Sequence, residues 1–98
     1  MTSKQRAQLK SLAMTMDAIL NIGKESLTEE FLSAAEEALE ARELIKISVL
    51  KNCDDDLRSI AEAIAEHTDS EIVQVIGRKI VLFRQARKPE NRKIRLVK

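Results

Sequence analysis

The chain has 98 residues, of which 44% are hydrophobic and 34% charged, with two glycines, one proline and a formal net charge of +1. That is one domain's worth of chain, and the composition excludes a disordered polymer. The lone Cys53 excludes an internal disulfide, and no apolar run approaches the roughly 18 residues of a membrane span.

Leu9, Leu12, Ala13 and Met16 recur at helical spacing, which predicts a first helix over residues 4–15 with Ser3 as its N-cap. Ala18–Ile22 is a short β-prone run, ended by Gly23 and a tight Gly23-Lys24-Glu25-Ser26 loop. A second helix follows over about residues 28–41, with Phe31, Ala35, Ala38 and Leu39 on its buried stripe. Ser26 with Glu29, or Thr28 with Glu29 and Glu30 in the first turn, would cap it equally well. Residues 44–50 alternate as a strand, with Ile45, Ile47 and Val49 on one face and Lys46 and Ser48 on the other. Asp54-Asp55-Asp56 opens a third helix with the stripe Leu57, Ile60, Ala61 and Ile64. Two apolar runs, 72–76 and 80–83, flank Gly77-Arg78, a connection suited to a hairpin. Beyond Ala86 the chain turns basic. Ile94, Leu96 and Val97 would allow an edge strand, but a mobile tail over residues 87–98 is the expectation.

The order α-β-α-β-α-β-β predicts an α/β fold with a four-stranded mixed sheet packed against helices. Charge is segregated along it. Residues 23–42 hold two bases against six acids and residues 54–70 one against six, whereas residues 71–88 hold five bases against Glu71. A basic face can therefore exist despite the small total.

No Ser-His-Asp arrangement, phosphate-binding P-loop or dinucleotide fingerprint is present, so the expectation is a protein that is not an enzyme. His67 lacks a second ligand nearby, the three aspartates suit a cap, and Cys53 lies beside acids that disfavour a thiolate. No cofactor, metal or small-molecule substrate is expected. The N-terminal Lys4, Arg6 and Lys10 interrupt any secretory h-region, which implies a cytoplasmic location without membrane contact.

The stretch Ile22-Gly23-Lys24-Glu25-Ser26-Leu27-Thr28 runs from a strand through a tight loop into a helix. Free backbone N–H groups at the helix start, a glycine and a lysine together suit a phosphate. Four blocks carry a family resemblance: Thr2–Arg6; Ile22-Gly23-Lys24; Ala38–Lys46; and Val73–Arg84. From about Thr2 to Arg84 the sequence resembles the CRM domain, the chloroplast RNA splicing and ribosome maturation module, in its free-standing bacterial YhbY-type form. The resemblance implies an RNA-binding domain over residues 1–86, similar in fold to the C-terminal domain of translation initiation factor three. It also implies ribosomal RNA and large-subunit precursors as partners, with a Gly-x-x-Gly loop on the RNA-binding surface. Here that loop departs from the pattern, with Ser26 at the second glycine and the acid Glu25 before it.

With that resemblance, Lys4, Arg6, Lys10, Arg42, Arg78, Lys79 and Arg84 are expected to gather around Gly23 and Lys24 as the RNA-binding patch. Phe31 and Phe83 are the only aromatics and both fall on core positions, so recognition by stacking on an aromatic sheet is not expected. A different class of function remains open: a protein-interaction module using Glu36, Glu37, Glu40, Glu62 and Glu66 on the second and third helices.

Overall fold

Helical and strand-like apolar periodicities alternate along the chain, and each becomes one element. The computed structural model describes residues 1–98. It has α1 (Ser3–Ala13), β1 (Leu20–Ile22), α2 (Glu29–Arg42), β2 (Leu44–Val49), α3 (Leu57–Thr68), β3 (Glu71–Ile76), β4 (Lys79–Phe83) and a 3-10 turn at Pro89–Asn91. The expected element order and four-stranded mixed sheet are both present, with strand order β1-β2-β4-β3. The strand β1 runs parallel to β2, and β4 is antiparallel to both of its neighbours.

Caps set the helix starts. The first helix opens at Thr2, not Ser3, because Thr2 has Gln5 three residues on. Thr2 Oγ1 accepts from Gln5 N at 3.1 Å, and Gln5 Oε1 accepts from Thr2 N at 3.0 Å. For α2 the cap is Thr28, whose hydroxyl accepts from Phe31 N at 3.0 Å. Asp56 caps α3 by accepting from both the amide and the hydroxyl of Ser59.

The sheet is covered unequally. On one face Ile45, Ile47, Ile80 and Leu82 pack against Ala35 and Leu39 of α2 and Ile60 and Ile64 of α3. A fully buried leucine such as Leu39 contributes about 1.5–3 kcal/mol here. On the other face Leu9 and Ala13 of α1 cover Leu44, Val73, Val81 and Phe83. A bulge between Ile72 and Gln74 lets Val73 reach this second cluster. The helix leaves the rest of that face uncovered: Asn21, Ile76 and Lys79 are exposed, and Lys46, Ser48 and Gln74 are half-buried.

Residues 87–98, where the sequence implies a mobile tail or an edge strand, join no strand and instead lie against α2 and α1. Glu43, at the end of α2, is fully buried with φ +67°. Its carboxylate accepts from the main-chain N–H groups of Ala86, Lys93 and Ile94 at 2.7, 2.7 and 2.8 Å. Glu40 accepts from Arg87 N, Lys88 N and Asn91 Nδ2. Gln8 holds Arg95 and Val97 through their backbones, and Ile94 and Leu96 extend the cluster beneath α1. Two carboxylates thus replace a strand partner for the tail's amides.

Candidate nucleic-acid interface

The edge strand β1 delivers the chain to Gly23, and the loop closes by a hydrogen bond from Ser26 N to Gly23 O at 3.0 Å. Ser26 takes the left-handed conformation, φ +57°, at the position where the sequence resemblance leads one to expect a second glycine. The strain for a non-glycine residue there is about 1–2 kcal/mol. Gly23 differs. A Cβ built on it meets Asn52 Oδ1 at 3.6 Å and Leu50 Cδ1 at 3.8 Å, ordinary contacts, so the fold itself does not demand a glycine. Asn21, Gly23, Lys24, Ser26, Thr28 and Phe31 border a shallow hollow of about 270 Å³, with the acid Glu25 on its rim.

Only part of the expected cationic set is brought together. Three arginines are taken up by the fold. The Arg78 guanidinium donates to the carbonyls of Val49, Leu50 and Cys53, at 2.8, 2.7 and 3.2 Å, tying the hairpin to the β2–α3 loop. Arg6 donates to the carbonyls of Ile72 and Val73 on β3. Arg84, expected at the RNA surface, is buried. It pairs with Glu36 at 2.7 Å and Glu40 at 3.4 Å and donates to Thr68 O, while its Nε has no partner. Arg42 is exposed at the far end of α2, which at about 1.5 Å per residue lies about 20 Å from the loop. Lys4 is exposed in the first turn of α1.

The lysines behave differently, since none of them forms an ion pair. In register across the uncovered sheet face run Asn21, Ser48, Lys79 and Ile76, with Lys46, Val81 and Gln74 in the next row. Lys79 Nζ donates to Ser48 Oγ at 3.0 Å, and Lys46 Nζ donates to Met16 O at 2.8 Å. Lys10 reaches the same area from α1, lining one cleft with Lys46 and Lys79. Asn21 belongs both to this row and to the loop hollow, so the loop and the lysines share one surface. Sequence reasoning missed Lys46. The signal was there, because Lys46 and Ser48 lie opposite the apolar face of their strand. What was lacking was the neighbour: only the β2–β4 register puts Lys79 across from Ser48.

The acidic face of α2 is partly consumed from within. Glu36 is held below the usual carboxylate range by its hydrogen bond to Arg84, against the opposing effect of burial. Glu40 is lowered to about 2, first by Asn91 and then by the Arg87 and Lys88 amides. An acidic docking surface built on these helices thus has three of its five carboxylates in internal contacts, Glu36 and Glu40 with Arg84 and the tail and the exposed Glu62 with Arg58 at 3.8 Å.

Comparison with known proteins agrees with this architecture. The model of the CRS1 / YhbY (CRM) domain matches residues 1–84. The probable RNA-binding protein YqeI of Bacillus subtilis is 42% identical over 96 residues, covering 98% of each chain. A protein of Haemophilus influenzae named an RNA-binding protein is 35% identical over 96 residues, covering 98% of this chain and 94% of that one. The solution structure of a hypothetical protein from Staphylococcus aureus superposes with a TM-score of 0.78 at 41% identity, covering 97% of this chain and 99% of the other. The chain belongs to the CRS1 / YhbY (CRM) domain family.

Proposed function

We propose that this protein binds RNA, specifically ribosomal RNA in precursors of the large subunit in the cytoplasm, and that it does so without catalysis. The family and the names of its relatives support RNA as the ligand class. The observation that carries the reading here is the strip formed by Lys24, Lys46, Lys79 and Lys10, continuous with the Gly23 loop and with no lysine neutralised by a carboxylate. Unpaired ammonium groups on one face suit a phosphate backbone.

If each of these four lysines meets one phosphate of single-stranded RNA, affinity falls with salt with a log–log slope of about −3, at about −0.7 per contact. Fluorescence anisotropy with a labelled ribosomal RNA fragment measures this. Lys24→Ala and Lys79→Ala should each reduce the slope by about 0.7, and unchanged slopes in both would remove these residues from the interface. Sedimentation of a cell extract through a sucrose gradient tests the ribosomal part. The protein is expected with large-subunit precursors, and its confinement to the top of the gradient at low salt would refute that partner.

A further inference from the structure

The cleft between α1 and the uncovered half of the sheet has a volume of about 390 Å³, within the range of small-ligand sites. Its floor is aliphatic. Val81 lies at the bottom, and Met14 and Ile76 stand at the sides, 80% and 58% exposed respectively. Apolar groups of this size facing water, with no partner within the chain, mark a place where something apolar docks. Lys10, Lys46 and Lys79 ring that floor, and no acidic residue lines it. Gln74 also lines it, and its side-chain amide makes no hydrogen bond within the chain.

We propose that this cleft receives one unpaired nucleotide of the bound RNA, an inference that rests on the RNA-binding reading above. The occupant must be apolar at its centre, anionic at its edge and able to exchange hydrogen bonds with an amide. A nucleotide meets all three conditions. Its base lies against Met14, Ile76 and Val81, its edge faces Gln74, and its flanking phosphates face the lysines. A base locked in a duplex presents no free face to such a floor, so the cleft selects single strands, loops or bulges. Aliphatic and thioether contacts take the place of aromatic stacking, which the composition does not offer.

The test uses two RNAs of equal length, one single-stranded with a central 2-aminopurine and one fully paired, titrated against the full chain. The wild type should bind the single strand more tightly and change its 2-aminopurine emission. Ile76→Ser, which removes the apolar contact without adding charge among the lysines, should weaken single-strand binding about tenfold, the scale of losing one stacked base, and abolish the emission change while leaving duplex binding, held by the lysines, unaltered. Met14→Ser, at the most exposed position, should do the same, and circular-dichroism melts confirm that both variants fold. Gln74→Ala should leave the emission change but narrow the difference between bases at the probed position. Equal loss on both RNAs, or no loss on either, overturns the nucleotide site. The same holds if an apolar peptide segment of a partner, not RNA, is shown to compete for Ile76. Lys24→Ala serves as the control: its effect on both RNAs keeps the RNA-binding reading even where the cleft fails. A wild type that binds neither RNA at low salt sinks both.

Discussion

Replacing Glu43 by Gln exchanges one carboxylate oxygen for an NH2 group and should cost about 3 kcal/mol. The carboxylate accepts three main-chain N–H groups, two at Oε1 and one at Oε2. A glutamine keeps one oxygen for Lys93 and Ile94 but turns an amide nitrogen toward the buried N–H of Ala86, setting donor against donor. Leaving that N–H without an acceptor costs about 1–3 kcal/mol, and the two remaining bonds weaken when their acceptor becomes neutral. For a domain of this size the loss lowers Tm by about 12–24 °C, at about 4–8 °C per kcal/mol. Thermal unfolding at pH 7 measures it, and hydrogen exchange should show the amides of Ala86, Lys93 and Ile94 losing protection. The effect has a pH signature. Burial raises the Glu43 pKa, but the Ala86, Lys93 and Ile94 amides outweigh it and bring it below the ordinary 4.5. Its stabilisation is therefore complete above that value and lost as pH falls through the lower folded pKa, so the wild type and variant should converge in acid. A Tm difference below about 4 °C at neutral pH would refute this account of the tail's attachment.

Three other outcomes follow from the same geometry. Gly23→Ala should leave stability unchanged or raise it by up to about 1 kcal/mol in urea unfolding, yet weaken RNA binding in anisotropy titrations. Intact affinity would mean that no ligand approaches Gly23 closely. Ser26→Gly removes left-handed strain but frees the unfolded chain, so stability should shift by less than about 1 kcal/mol, while RNA binding tightens; weaker binding would show that the hydroxyl itself is used. Arg78→Lys should cost about 1–3 kcal/mol in thermal or urea unfolding, since an ammonium on a flexible stem cannot reproduce the planar fork that meets three carbonyls. A melt indistinguishable from wild type would show that the clamp does not matter.

The elements were legible because the chain keeps one period at a time. Ile45, Ile47 and Val49 alternate, and Leu57, Ile60, Ala61 and Ile64 repeat at helical spacing; both patterns became the expected structure. Ends were less so. Thr2 outcompetes Ser3 because Gln5 lies three residues beyond it, a cue that one reading frame conceals. The β1 strand is shorter than the run 18–22, with pairing only from Leu20 to Ile22. Long-range polar contacts were not legible at all. A glutamate such as Glu40 or Glu43 on a helix reads as solvated, and nothing local announces that amides about 50 residues later will find it. Arg84 was equally opaque: its charge reads as surface, while its position beyond Phe83 carries it to Glu36 and Glu40. The site was half visible. Lys24, Lys10 and Lys79 were singled out, but the surface joining them depends on strand order, which places β4 between β2 and β3.

The two kinds of cation have been given separate duties. Guanidinium groups at Arg6, Arg78 and Arg84 bind carbonyls and carboxylates of the chain itself, while the amines of Lys10, Lys24 and Lys79 stand outward. Capping amines with an acyl group would therefore erase the positive charge of the face proposed to meet RNA and leave the scaffold standing. A dicarbonyl that derivatises guanidines would spare those amines, reacting first at exposed arginines such as Arg42 and reaching the buried Arg84 only when the fold opens.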